Sequence, residues 1–291
     1  MPESPGQNRP KGNHMDDQTN EKGVERGDDQ EFIQSLAKGL AVIEAFSERD
    51  PAMTLSEVAR KTHLTPGSAR RVLRTLQQLG YASAEGNRFR LMPRVLQLGF
   101  SYLSSLPFSA LAQPRLMELN EEVDGSCSIS VLDGTDVVYV ARATAKTLSR
   151  DYMSVGTRYP AHATSPGKLL LAALPDREVQ ERYRGKRIEA PTPYTINSID
   201  RLLAELADVR KKGWAMNDQE TMMGHRSIAV PLITGAGPLA AALGVGCDVA
   251  RVSVEQMIGD FLPKLRKAAT AIEKLMVIHE QSSNSAPYVR G

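Results

Sequence analysis

Six side chains in the first third of the chain have the types and spacing to hold nucleic acid: Ser68, Arg70, Arg71, Arg74, Arg88 and Arg90. Arginine carries a planar fork of donors that matches a phosphate or the edge of a guanine, and serine adds a small donor and acceptor. A second group is Gly156–Lys168, GTRYPAHATSPGK, whose Gly, Pro and small residues bring backbone close to something. It runs into a helix start, where N–H groups and the helix dipole favour an anion such as a carboxylate. A third is Asn217, Asp218, Gln219 and Glu220 before a turn at Gly224, with Met222 and Met223 beside it and Arg226 as the obvious partner for a carboxylate. His162 reads as a hydrogen-bonded loop residue rather than a base. Gly167-Lys168 is no phosphate loop, because Leu169 stands where a Ser or Thr would hold magnesium. There is no nucleophile elbow, no HExxH and no cysteine pair at metal spacing. No catalytic residue, cofactor or metal ligand is therefore expected.

The elements that must position the first group are legible. Thr54–Gly80, TLSEVARKTHLTPGSARRVLRTLQQLG, reads as two helices joined by a short turn. Thr54 and Glu57 form a capping box for the first helix. Thr65 caps the second, and Pro66 is pre-set for its first position. Ala69, Val72, Leu73, Leu76 and Leu79 share one face, which leaves Ser68, Arg70, Arg71 and Arg74 off it, with Thr65 nearby. Gly80 is a plausible stop. This is a helix-turn-helix, whose second helix enters a DNA major groove. Tyr81–Leu91 then reads as a hairpin with Glu85-Gly86-Asn87 at its tip, Arg88 and Arg90 on one face and Phe89 and Leu91 on the other. A hairpin directly after such a helix is a wing. Upstream, Ser35–Ser47 supplies a third helix with Leu36, Leu40, Ile43 and Phe46 as its core positions.

Charge points the same way. Residues 35–95 hold ten Lys and Arg against five Asp and Glu, whereas the whole chain of 291 residues is only +2. Positive charge concentrated in one segment suits a phosphate-facing module. The chain is long enough for two domains, with 41% hydrophobic and 24% charged residues. It has no run of about 18 apolar residues and no secretory leader pattern, so a cytoplasmic protein without a membrane segment is expected. Two cysteines, Cys127 and Cys247, make no disulfide framework.

Residues 1–30 are polar and charged and are read as a disordered tail. The winged helix-turn-helix occupies 31–92. Pro93–Ser105 is a helix apolar on more than one side, read as an interdomain linker (93–107) that also packs on a second subunit, with a helix docked on its own domain as the other reading. Residues 108–280 read as one α+β domain, an antiparallel sheet flanked by helices, followed by a frayed tail at 281–291. Its expected elements are a helix at Phe108–Val123 that Pro114 kinks or divides, a hairpin around Asp133-Gly134, and a third strand at Leu148–Val155. Helices follow at Thr164–Leu174, Asp176–Arg184 and Ser198–Lys212, the last ended by Gly213. Strands at Trp214–Asn217, Arg226–Ile233 and Leu239–Cys247 come next. A final helix capped by Ser253 and Gln256 runs to His279, bent at Pro263, with Ile258, Phe261, Leu262, Leu265, Ile272, Leu275 and Met276 inward.

The chain resembles the IclR family of bacterial transcription factors over residues 33–280. SLAKGLAVIEAF resembles the family's opening helix and LSEVARKTHLTPGSARRVLRTLQQLGY its helix-turn-helix. VGTRYPAHATSPGKLLLAAL and GWAMNDQETMMGHRSIAVPL resemble its two effector-domain signatures. The last two look closest to regulators of aromatic-acid breakdown through the β-ketoadipate pathway, the protocatechuate and 4-hydroxybenzoate branch. The resemblance implies a winged-helix head, a linker helix and a GAF-like effector domain. It also implies dimers or dimers of dimers on palindromic promoter DNA, and control by a small organic acid. Positions matching the effector pocket are Ser165, Pro166, Asn217, Ser227 and Gly244. Asn217 stands where an acidic residue can occur and Gly244 where a small hydroxyl can occur, so the ligand is not carried over. Arg70-Arg71 and Pro66-Gly67 depart from other members, so neither is the operator. A regulator of another carboxylate pathway, of the glyoxylate or acetate type, and a small-molecule carrier or enzyme that binds no DNA stay open as alternatives.

Overall fold

The structure is a computed structural model that describes residues 32–106, 111–144, 154–233 and 241–284. The tail expected at 1–30 lies outside these residues, as do the start of the helix expected from Phe108 and most of the strand expected at Leu148–Val155. The chain divides into two compact units between Val95 and Leu96.

In the first unit, α1 (Gln34–Glu44), β1 (Met53–Thr54), α2 (Leu55–Lys61) and α3 (Pro66–Gln78) precede a hairpin of β2 (Ala82–Glu85) and β3 (Arg88–Leu91). The capping box of α2 is present, with the Glu57 N–H donating to Thr54 Oγ1 at 3.3 Å and the Thr54 N–H to Glu57 Oε2 at 2.7 Å. Thr65 caps α3 by accepting from the Ser68 N–H. A two-residue strand that the sequence reading missed, β1, pairs with β3 and makes the wing a three-stranded sheet in the order β1-β3-β2. Two residues show no periodicity, and only the pairing of Met53 with Phe89 and of Thr54 with Arg88 makes them a strand. The core holds Val42, Met53, Val58, Ala69, Leu73 and Leu76, with Ile43, Phe46 and Val72 partly buried against it. Leu36 and Leu40, expected inside, are exposed, because α1 turns Val42 and Ala45 inward instead. Leu79, at the C-cap of α3, is exposed too.

The second unit begins with α4 (Leu96–Ser105), preceded by a 3-10 turn at Pro93–Val95. Within this unit α4 has Leu103 partly buried against the second core. Then come α5 (Ala112–Val123), β4 (Ser126–Asp133), β5 (Asp136–Ala143), β6 (Arg158–Pro160), α6 (Ser165–Ala172), α7 (Asp176–Tyr183), α8 (Ile199–Lys212), β7 (Ala215–Asp218), β8 (His225–Leu232) and β9 (Ala241–Asp248). Pro114 neither kinks nor divides α5. It sits in the first turn, where its missing N–H has no intrahelical partner to lose. Of the strand expected at Leu148–Val155 only Ser154 and Val155 are described, and neither is strand; β6 follows at Arg158–Pro160, a strand not read from the sequence.

Among the described residues the strands form one antiparallel sheet in the order β6-β5-β4-β9-β8-β7. Successive side chains alternate between its faces. One face, with Cys127, Ile129, Ile228, Val230, Leu243 and Val245, is covered by α5 and the C-terminal helix. On the other, Val137, Ala215, Ala229 and Ala242 meet the apolar sides of α6 and α8. Small residues there let α6 come close. A Cβ on Gly167 would sit 2.2 Å from the Ala161 carbonyl oxygen, so only glycine fits at that position. The C-terminal helix comprises α9 (Val254–Gln256), a π turn at Met257–Phe261 and α10 (Leu262–Asn284). Ser253 and Gln256 form its capping box. The irregularity expected at Pro263 lies just before it, where the wider π turn takes up the ladder that a proline cannot continue. That turn shifts the phase, and Ile258, expected inward, is exposed. Cys127 and Cys247 are free, buried thiols, and burial pushes both up well out of the reactive range.

Candidate functional site

Two sites emerge, one in each unit. In the first unit, burial of Ala69, Leu73 and Leu76 at helical spacing directs the opposite side of α3 outward. Arg70, Arg71 and Arg74 lie on that side, exposed, and none makes an ion pair among the described residues. Thr65 is exposed at the helix start with its hydroxyl engaged in the cap, and Ser68 is half-buried. The wing arginines differ. Arg88 donates to the Ala52 carbonyl at 2.9 Å and lies 3.6 Å from Glu57, and Arg90 donates to Glu85 at 2.7 Å. Both side chains are still 54% exposed.

In the second unit the sheet register assembles the site. Asn217, Ser227, Gly246 and Ser126 form one cross-strand row, and Ala229, Gly244, Ser128 and Arg142 the next. Over these rows lies the start of α6. Between them is a narrow cavity, about 310 Å³ of space including its mouth, lined by Ser126, Ser128, Tyr139, Arg142, Ser165, Pro166, His225, Ser227 and the Gly244–Gly246 stretch. Four of the five residues carried by the resemblance are therefore in its wall. The fifth, Asn217, stands behind. Its Nδ2 donates to Thr221 at 3.1 Å and to Ser227 Oγ at 3.4 Å, while its Oδ1 accepts from the Glu220 N–H at 2.8 Å. Ser165 Oγ and Ser227 Oγ lie 2.8 Å apart, joining helix to sheet.

The lining is hydroxyls, one guanidinium and one imidazole, with no carboxylate among the described residues. A cavity of that composition suits an anion. The helix start contributes less to it than the sequence reading implies. Pro166 has no N–H, that of Gly167 goes to Thr164 Oγ1 and that of Lys168 to the Thr164 carbonyl. Arg142, Ser126, Ser128, Tyr139 and His225 are missed by sequence reasoning. For Arg142 there is a signal, a charge inside the alternating strand DVVYVARA.

Lys168 and Glu220 lie beneath, at 2.6 Å, with Glu205 3.2 Å from the same ammonium. Burial raises the Glu220 carboxyl, against the pull of Lys168. Arg226 pairs with Asp218, Nε to Oδ1 and Nη2 to Oδ2 both at 3.0 Å, as expected for the third group. His162 is buried with its Nε2 2.8 Å from the Glu189 carbonyl. No helix among the described residues is long and apolar enough to cross a membrane.

Comparison with known proteins places both units in one family. Residues 35–86 match the IclR helix-turn-helix domain, and residues 100–274 the C-terminal domain of the bacterial transcriptional regulator IclR. The chain is 40% identical over 242 residues to the Pca regulon regulatory protein of Pseudomonas putida, a stretch that covers 83% of each. It is 38% identical over 256 residues to the p-hydroxybenzoate hydroxylase transcriptional activator of Acinetobacter baylyi, covering 85% of this chain and 93% of the other. A solved IclR homolog from Microbacterium hydrocarbonoxydans, complexed with 4-hydroxybenzoate, superposes with a TM-score of 0.72 at 26% identity, covering 84% of this chain and 99% of that one. The chain belongs to the IclR family of bacterial transcriptional regulators, with a helix-turn-helix domain for DNA and a C-terminal domain for a small-molecule effector.

Proposed function

We propose that this regulator controls genes of aromatic-acid catabolism and takes a small aromatic carboxylate, of the 4-hydroxybenzoate or protocatechuate kind, in the cavity between α6 and the sheet. The observation that carries this is the lining, in which Arg142 and hydroxyls from Ser126, Ser128, Ser165 and Ser227 surround a narrow space walled by Tyr139. A guanidinium pairs with carboxylate, hydroxyls serve ring substituents, and the aromatic wall packs on a ring. The relatives named for the Pca regulon and for p-hydroxybenzoate hydroxylase support the same class of effector.

Arg70, Arg71 and Arg74, with Ser68 and Thr65, contact DNA from α3 in the major groove. Arg88 and Arg90 add phosphate contacts from the wing by exchanging their carboxylate and carbonyl partners for phosphate. The protein works in the cytoplasm as a dimer or dimer of dimers on paired half-sites.

Calorimetric titration with 4-hydroxybenzoate, protocatechuate, β-ketoadipate, pyruvate and glyoxylate tests the effector reading. An aromatic acid should bind, and Arg142→Gln should weaken it by about 10- to 100-fold, the worth of a hydrogen bond to a charged group. Binding of pyruvate or glyoxylate alone, or an affinity indifferent to Arg142→Gln, contradicts it.

A further inference from the structure

A second concavity lies on the far side of the run that leads into α6. Thr135, His162, Tyr183, Lys186, Arg187 and Glu189 line it, with Asp136 and Pro160 at the edge, around about 570 Å³ of space including its open mouth. His162 is 3% exposed and Tyr183 7%. The His162 Nδ1 and the Tyr183 hydroxyl are both buried atoms without a hydrogen-bond partner.

The protonation pattern follows from the neighbours. A carbonyl only accepts, so the His162 Nε2 that meets Glu189 must carry the proton. Burial lowers the imidazole pKa and keeps the ring neutral, which leaves Nδ1 as a lone-pair acceptor. Tyr183, whose ring stands edge-on to His162 with centroids 6.0 Å apart, keeps its O–H proton because burial pushes the phenol up. One buried acceptor and one buried donor are thus left open at the floor, and leaving such groups unmet is costly. A hydroxyl brought to this floor would donate to Nδ1 and accept from the tyrosine. At the rim, Lys186 and Arg187 are exposed cations without an ion pair among the described residues. Of the rim carboxylates, Asp136 is held by Arg158 at 3.2 Å, and Glu189 is exposed with no ion pair among the described residues, so it shares the two rim cations with any bound anion.

We infer that this cleft is a second small-molecule site, taking a hydroxylated carboxylate with its hydroxyl on His162 and Tyr183 and its carboxylate at Lys186 and Arg187. The ligand chemistry comes from this cleft's own lining, so the inference does not rest on the effector proposed for the cavity under α6. One short run serves both places, with His162 lining the cleft and Ser165 and Pro166 lining the cavity. A ligand in the cleft bears directly on the segment that roofs the first site.

Titration of the full chain with 4-hydroxybenzoate, and with benzoate as the probe lacking the hydroxyl, tests this. Two binding events per chain are expected with 4-hydroxybenzoate. One of them should weaken about tenfold in Tyr183→Phe. The same event should be lost in the surface variant Lys186→Ala/Arg187→Ala and be absent with benzoate. Arg142→Gln should leave it in place. If the only binding event vanishes with Arg142→Gln and ignores Tyr183→Phe, water fills the cleft and the inference is overturned. It is overturned equally if no event responds to the Lys186 and Arg187 changes up to millimolar probe. If Tyr183→Phe weakens the only event and Arg142→Gln leaves it, the second site stands and the effector reading of the first cavity falls.

Discussion

A lysine ammonium only 2% exposed must be neutralised where it sits, and Lys168 is met by Glu220 at 2.6 Å and Glu205 at 3.2 Å. The pair is also a strut. Glu220 passes its N–H to Asn217, Asn217 donates to Ser227, and Ser227 meets Ser165 on the same helix as Lys168. The Ser165 and Ser227 hydroxyls are thereby held from behind by groups outside the cavity lining. Removing one partner of a buried pair leaves a bare charge in a poor dielectric, at about 3–5 kcal/mol. Lys168→Met should therefore lower the thermal midpoint of the second unit sharply, and adding Glu220→Gln should restore part of the loss. Differential scanning calorimetry of both variants checks this. An unchanged midpoint in Lys168→Met would mean that solvent reaches the pair.

At the level of elements, α2 and α3 owe their placement to local chemistry. The Thr54 N–H and hydroxyl hold the Glu57 carboxyl below its ordinary value of 4.5. The unfolded chain therefore binds that proton at higher pH than the folded one. The cap's contribution is whole above 4.5 and is lost as pH falls through the depressed value. Amide exchange in α2 should accelerate below that range more in the native chain than in Glu57→Gln, once the intrinsic pH dependence is removed. On α3, the exposed arginines carry no ion-pair partner among the described residues, whereas Arg90 is already paired with Glu85. Arg71→Ala should reduce the slope of log affinity against log salt by about 1, and Arg90→Ala by less. Equal slopes for the two would mean that the wing grips phosphate as fully as the helix does. These elements were legible because their signals lie within a few residues of each other, as in Thr54 with Glu57, Thr65 with Pro66, Asp133 with Gly134, and Ser253 with Gln256. The face of α1 was not, because Leu36 and Leu40 match helical spacing as well as Val42 and Ala45 do, and only the packing of α3 chooses between them. Most of the cavity was not either. Ser128 and Arg142 meet through strand register, and Gly244 joins them from a hundred residues away, across a pairing that no local pattern encodes.

On the scale of the whole molecule, two kinds of exposed surface ask for partners. Cations on α3 face outward in the first unit. In the second, α4 buries none of its residues and exposes Leu96, Leu98, Phe100 and Tyr102. In the dimer proposed above, this apolar face is where a second copy of the chain would pack, and paired subunits would match paired half-sites. In that proposed assembly an effector in the cavity would act by favouring one subunit arrangement over another, so its effect on DNA affinity would equal the effect of DNA on its own affinity. Titration of the full chain onto the DNA upstream of its own gene, with and without saturating aromatic acid and across a salt series, measures the whole account at once. Tight, salt-sensitive binding should collapse in an Arg70→Ala/Arg71→Ala/Arg74→Ala variant, and the acid should change the affinity of the native chain but not that of Arg142→Gln. Binding that survives loss of the three arginines, or that ignores the acid in the native chain, would contradict it.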